Sequence, residues 1–446
     1  MLKPWSRRQF LGQAAGLGIG LWTGAGVAHS TGTSANDRLR FACLGLGAQG
    51  AADAAEAARL GDVVALCDID DQVLQQRGAE EPFKNARKFR DFRRLFEDFA
   101  DGFDAFIVST PDHSHFPAAL LGMRLGKPCF CQTPLAHSIA EVRQLAALAK
   151  EQKLATQLGN TSSTLSSQKR AAQLIASGIL GPIREVHAWT KRPTWPQGPT
   201  PRPAAAPVPA HLDWELFLGP APHRDFAPDV YHPGAWRGWW DFGSGALGDQ
   251  GCQLLDLPFR TLDLGAPTRI AAAHSGHDRE RYPAWSVIRY DFPERGERPS
   301  VRMFWYDGGK RPSRELFLGR PLPASGVLII GQLNSLWIRD EPKFEFSLLG
   351  ESENADSDPP TDEPTRGLFE EWIQAVRGGP AASSDFTTIG GPLSETILLG
   401  NLAVWVGQAP GQEGKTVEWD SASQSTPNLP ELAPLIQRPI REGWRL

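Results

Sequence analysis

The clearest pattern of apolar and polar positions lies between Arg40 and Leu158. Phe41-Ala42-Cys43-Leu44 is an apolar run followed by Gly45-Leu46-Gly47-Ala48-Gln49-Gly50 and an Ala-rich, helical stretch to about Arg59. Val63-Val64-Ala65-Leu66-Cys67 is a second run, closed by Asp68. Short, continuously apolar runs bounded by turn residues predict strands buried on both faces. The alternation resumes with Ala105-Phe106-Ile107-Val108, a predicted helix from about Pro117 to Leu125, and a short strand from Pro128 to Cys131. Strands alternating with helices predict a parallel sheet with its ligand at the strand C-terminal ends.

Beyond this region the period changes. From Ile183 to Trp189, and across Ile270 to Phe304, short apolar and aromatic runs alternate with polar breaks, the pattern of antiparallel strands. Leu368-Phe369, Trp372-Ile373 and Val376 have helical spacing that ends at Gly378-Gly379-Pro380, and Leu393 to Val406 is apolar on most sides and predicts a buried helix. The prolines from Pro193 to Pro209 predict a long loop, either shaping a pocket mouth or serving as a solvated linker. The acid- and proline-rich stretch Glu351 to Glu363 predicts a mobile loop. At the N-terminus, Ser6-Arg7-Arg8-Gln9-Phe10-Leu11 precedes an apolar, Gly-rich stretch, which reads as a twin-arginine signal peptide over residues 1–34, with a membrane anchor as the alternative. That route exports folded chains to the periplasm, so export is compatible with a cofactor collected beforehand.

Composition narrows the classes. The 446 residues carry 46 Lys and Arg against 51 Asp and Glu, a net charge of −5 with no basic run, which excludes the electrostatic footprint of a nucleic-acid binder. The length predicts two or three domains with their own cores. No membrane span is expected in the mature chain. The 15 Trp suit sugar faces as well as cores. The five Cys fall in apolar or Gly-rich segments and predict buried free thiols; Cys129-x-Cys131 lacks redox or zinc spacing, and no metal site is predicted.

The order strand, glycine loop, helix, strand, acid has a chemical meaning. Gly45 permits a tight turn, Gly47 lets the backbone approach a pyrophosphate, and Gly50 lets helix and strand pack closely. Asp68 stands where an acid hydrogen-bonds a ribose 2′-hydroxyl, which favours NAD over NADP because a 2′-phosphate would be repelled. The alternative is a nucleotide-free α/β turn. His113 and His115, at the end of a predicted strand, are cofactor or substrate contacts or else loop packing.

Taken together, Gly45 to Gly50, Ala65-Leu66-Cys67-Asp68, Thr110-Pro111-Asp112-His113-Ser114-His115, Trp236-Arg237-Gly238-Trp239-Trp240 and Gly243-Ser244-Gly245-Ala246-Leu247-Gly248-Asp249-Gln250-Gly251 resemble the Gfo/Idh/MocA oxidoreductases, closest to the exported twin-arginine members. The resemblance implies an α/β Rossmann domain over residues 38–158, then an α+β domain over 159–446 whose large, open, mostly antiparallel sheet carries the substrate face. It also implies a tightly held NAD(P), a carbohydrate-like small-molecule ligand, a homo-oligomer, and oxidation or reduction of a sugar, cyclitol or related polyol. Carried over residue by residue, it places cofactor contacts at Gly45, Gly47, Ala48, Gln49, Gly50, Asp68, Thr110, Pro111, His113, His115 and Gln132. Substrate contacts fall at Asn160, Tyr231, Trp236, Arg237 and Asp249.

The departures change the chemistry. The family's lysine, in a Glu-Lys-Pro or Gln-Lys-Pro turn, is replaced here by Thr133, and its histidine, four residues after the aspartate, is replaced by Gln253. Neither a hydroxyl nor an amide takes up a proton near neutrality. Asp249 or His232 remains as a replacement base; otherwise Asp249 is a helix cap, and Tyr231 and His232 are loop packing. Three readings follow: an oxidoreductase of weak or altered activity, a catalytically silent NAD-holding carbohydrate binder, or an NAD-dependent glycosidase with a base such as His232 near Asp249.

Overall fold

The apolar runs of the N-terminal half become the strands β1 (Arg40–Leu44), β2 (Asp62–Cys67), β3 (Arg87–Phe89), β4 (Ala105–Val108), β5 (Cys129–Cys131) and β6 (Thr156–Leu158) of a computed structural model. It describes residues 38–339, 345–349, 366–408 and 414–445. The segment predicted as a twin-arginine signal peptide and the stretch Glu351 to Glu363, predicted as a mobile loop, lie outside them. The six strands are parallel in the order β3-β2-β1-β4-β5-β6. Strand order reverses between β1 and β4, and the crevice outside their carboxyl ends is where a doubly wound sheet binds its ligand.

The second half forms β7 (Ile183–Trp189), β8 (Arg269–His274), β9 (Ser286–Phe292), β10 (Val301–Tyr306), β11 (Gly326–Gly331), β12 (Ser335–Arg339), β13 (Glu345–Leu349) and β14 (Val417–Glu418). They pair in the order β13-β12-β11-β7-β10-β9-β8-β14, antiparallel except for the parallel contact of β7 with β10. The expected period of two is visible: Val301, Met303 and Trp305 are buried while Arg302 is exposed. Against this sheet lies the helix Gly391–Val406, apolar and long enough with its preceding turn to cross a membrane, yet packed into the interior. Gly400 lets it approach so closely that a Cβ would lie 1.9 Å from the Tyr290 hydroxyl.

Two boundaries differ from expectation. The helix predicted from Pro117 runs Asp112–Arg124, because Pro at the sixth position removes one donor without ending it. His113 and His115 are therefore helical residues. The helix predicted from Leu393 starts at Gly391, continuing a wider turn over Phe386–Gly390. All five Cys are buried and free. The proline run is an ordered loop, with Gly198 N donating to Tyr282 O at 2.8 Å and Ala206 N to Phe226 O at 2.9 Å.

Candidate active site

The carboxyl ends of β2, β1, β4 and β5, together with the turn after β6, open into one cleft of about 900 Å³. At its centre is the glycine turn. Gly45 takes φ 81°, and a Cβ there would lie 2.5 Å from Ser109 O. A Cβ on Gly50 would lie 2.1 Å from Gly45 O, so this glycine lets the helix Ala48–Leu60 sit on the turn. A Cβ on Gly47 meets nothing within 4 Å. Gly47, Ala48 and Gln49 face the cleft, and no side chain caps the first N–H groups of the helix. An uncapped helix N-terminus with open space before it fits the pyrophosphate of a dinucleotide.

To one side, Asp68 ends β2. Its Oδ2 accepts from Leu46 N at 2.7 Å and its Oδ1 from Asp70 N at 3.0 Å, which leaves each oxygen a further lone pair. Burial pushes this carboxyl up to about 6, against those donors. Beneath the turn, buried Asp53 accepts from Ser109 Oγ at 2.6 Å, Gln132 Nε2 at 2.9 Å and Gln49 Nε2 at 3.0 Å. It ties the first helix to the ends of β4 and β5 and thereby positions both Gln49 and Gln132. Sequence reasoning passed over it; the only signal was an acid one turn after Gln49.

To the other side lie Thr133, after β5, and the helix Gly245–Leu254. Gln253 on that helix has both amide atoms engaged: Oε1 accepts from Thr161 Oγ1 and Ser162 N, both at 3.1 Å, and Nε2 donates to Gly159 O at 3.2 Å. One turn earlier, Asp249 Oδ1 accepts from Arg237 Nε at 3.1 Å, Oδ2 accepts from Gln250 Nε2 at 2.9 Å, and Arg192 Nε stands 3.7 Å from Oδ2. The helix begins at Gly245, so Asp249 lies in its second turn and is not a cap. The Arg237 guanidinium lies 4.3 Å from the Trp236 ring centroid and 5.8 Å from that of Trp195, and both rings line the cleft. Trp239 and Trp240 are core. Arg192 and Trp195, brought in by the proline loop, carry no motif that would have singled them out.

Asp112, first residue of its helix, also lines the cleft and is 5% exposed. Burial pushes its carboxyl up to about 7; Arg237 works against this and Asp249 with it. Thr110 and Pro111 line the cleft beside it.

Three expected contacts, His113, Asn160 and Tyr231, lie outside the cleft lining, and two that line it, His232 and His115, are turned to other partners. His113 is buried between Phe217 O (2.8 Å) and Phe242 O (3.2 Å), a clamp between the first domain and the segment that precedes the Gly245 helix, and burial takes its imidazole down to about 4. Asn160 is fully buried, with Nδ2 donating to Asp256 Oδ1 at 2.8 Å. Tyr231 packs among Trp214, Trp239 and Phe242. His232 lines the cleft, but its Nε2 is 4.0 Å from Asp70 Oδ2, two residues beyond Asp68. From β2 to β5 is three strand steps, about 14 Å, so His232 stands at the Asp68 end and not beside Thr133. His115 does line the cleft, but its ring nitrogens face Pro134 O and Thr110 O, each at 2.8 Å.

Comparison with known proteins agrees with this architecture. Residues 39–160 match the NAD-binding Rossmann fold of the oxidoreductase family, and residues 166–297 its C-terminal alpha/beta domain. The chain is 24% identical over 174 residues to a D-xylose 1-dehydrogenase [NADP(+)] of Haloarcula marismortui, covering 38% of this chain and 48% of that one. It is 29% identical over 118 residues to a glycosyl hydrolase family 109 protein of Shewanella pealeana, covering 24% and 25%. The matches thus span between a quarter and half of these curated relatives. An inositol dehydrogenase homologue from Azotobacter vinelandii, solved with NAD+, superposes with a TM-score of 0.60 at 18% identity over 86% of this chain and 98% of that one, a likeness of fold. With both of its domains matched in order, the chain belongs to the Gfo/Idh/MocA oxidoreductase family, and its N-terminal domain is that family's NAD-binding Rossmann fold.

Proposed function

We propose that this protein is a nicotinamide-dependent oxidoreductase acting on a sugar, cyclitol or related polyol, with Thr133 and Gln253 standing where the family carries its lysine and histidine. The observation that carries the reading is the single cleft joining the Gly47 cradle to the Asp249–Arg237 pair, so that a dinucleotide laid across the sheet from Asp68 ends beside polar groups suited to hydroxyls. NAD, when bound, supplies the hydride acceptor. The N-terminal N–H groups of the helix Ala48–Leu60 hold its phosphates, and Asp68 accepts a ribose hydroxyl and disfavours a 2′-phosphate. Trp236 and Trp195 offer flat apolar walls to sugar C–H faces, while Arg237, Arg192 and Asp249 orient hydroxyls. The twin-arginine leader fits export of the folded, cofactor-loaded chain.

One observation favours a second reading. Gln253, with both amide atoms engaged by the turn after β6, and Thr133 are a structural pin and a hydroxyl, as a silent NAD-holding carbohydrate binder would tolerate. His232, the base named for the glycosidase reading, stands 4.0 Å from Asp70 Oδ2 at the Asp68 end of the cleft, which does not support that role for it. The discriminating experiment loads the protein with NAD+, adds myo-inositol, D-xylose or D-glucose, and follows reduced cofactor by absorbance. Reduction supports the oxidoreductase; saturable sugar binding without reduction supports the binder.

A further inference from the structure

The acids and imidazoles lining the cleft are Asp68, Asp112, His115, His232 and Asp249. Oxidising a carbinol requires one of them to take the hydroxyl proton, since Thr133 and Gln253 cannot. Asp68 and His232 lie at the β2 end, about 14 Å in strand steps from β5. His115 has both ring nitrogens turned to carbonyl oxygens. Asp249 has both carboxylate oxygens engaged, Oδ1 by Arg237 Nε at 3.1 Å and Oδ2 by Gln250 Nε2 at 2.9 Å, with Arg192 Nε 3.7 Å from Oδ2.

Asp112 remains. It follows β4, the strand between the glycine turn and Thr133, and its immediate surroundings are defined. Ser244 donates to it from the start of the Gly245 helix and favours the carboxylate; Arg237 and Asp249 act on its charge from the second domain, with Tyr282 and Cys252 also there and Cys131 on β5, the hydroxyl and both thiols being buried and neutral. No guanidinium or ammonium hydrogen-bonds its carboxyl among the described residues.

We propose that Asp112 is the proton acceptor of the reaction, replacing the family's absent lysine and histidine. The inference rests on the oxidoreductase reading. In the step, the carbinol C–H bond breaks with its electron pair passing as hydride to the oxidised nicotinamide. The O–H bond breaks with its proton passing to an Asp112 carboxylate oxygen, and the carbon–oxygen bond becomes a carbonyl. The proton then leaves to solvent through the cleft. Burial supports this role, because it brings the carboxyl to about 7, where it exchanges protons at working pH.

The test uses full-length, NAD+-loaded protein and has two readouts. The first is pH-difference infrared spectroscopy of the carboxylic-acid carbonyl band in wild type and Asp112→Asn. The second is single-turnover reduction of bound cofactor by myo-inositol, D-xylose and D-glucose across the same pH range. The expected result is a band that titrates near neutrality in wild type and is missing from Asp112→Asn. The variant's reduction rate falls roughly 10²–10⁴-fold, with sugar affinity and cofactor content kept, and the wild-type rate rises with the same titration. No band titrating near neutrality in wild type, which needs no variant to fold, overturns the proposal. An Asp112→Asn rate equal to wild type overturns Asp112 alone, whereas no reduction by any sugar in wild type overturns the oxidoreductase reading and Asp112's role with it.

Discussion

Arg237 Nε lies 3.1 Å from Asp249 Oδ1, and the same guanidinium stacks 4.3 Å from the Trp236 ring. One side chain thus fixes an aromatic wall and an acid of the cleft, and its charge also holds down the carboxyl of Asp112. Replacing Arg237 with Gln removes all three effects. The expected outcome is weaker sugar binding, together with an upward shift of the Asp112 titration, checked by calorimetry and infrared titration. An unchanged titration would show that Arg237 does not govern Asp112.

The glycine turn separates binding from folding. Gly47→Ala enters open space and is expected to change stability by less than about 0.5 kcal/mol while sharply reducing NAD retention, because its methyl occupies the cradle. Gly50→Ala drives a Cβ into Gly45 O and is expected to cost about 1–3 kcal/mol. Melting temperature and cofactor content of the two purified variants check the contrast.

Asp68 is expected to set nucleotide preference and its pH dependence. With its carboxyl pushed up to about 6, the ionised acceptor is complete above that pH and is lost as pH falls through it, so NAD affinity weakens below pH 6. Asp68→Asn is expected to weaken NAD by roughly ten- to a hundredfold, to improve NADP relative to NAD, and to abolish the pH step. Fluorescence titration with both nucleotides measures this.

The raised Asp112 carboxyl also has a stability consequence. Between its ordinary value of 3.8 and about 7, the folded chain binds more protons at this site than the unfolded chain. Its contribution to stability therefore falls as pH rises across that window and is constant above it. The displacement of about three units corresponds to at most roughly 4 kcal/mol. Asp112→Asn lacks the term, so its melting temperature relative to wild type is expected to climb from pH 5 to pH 7 and then level off.

The architecture of the first domain was legible because its signals are local: apolar runs for β1, β2 and β4, Gly45 at a positive φ, and an acid closing β2. Of the second sheet, β7 to β10 were legible from alternation, whereas β11 to β14 were not. The site was legible only in part, because side-chain direction is decided by tertiary packing. His113, Asn160 and Tyr231 sit in motifs near the cleft, yet His113 and Asn160 hydrogen-bond buried partners away from it and Tyr231 packs among aromatic rings. Arg192 and Trp195 reach the cleft from a proline loop with no periodicity to read. Asp112 stood inside a recognised motif, but its chemistry comes from burial against a segment more than a hundred residues away in sequence.

The most direct test of the central claim is bound-cofactor reduction in the NAD+-loaded wild type, compared with Thr133→Lys/Gln253→His, on myo-inositol, D-xylose and D-glucose. The account predicts that wild type itself forms reduced cofactor with at least one of them, without the restored lysine and histidine. Reduction by the double variant alone would contradict it and make this chain an NAD-holding binder.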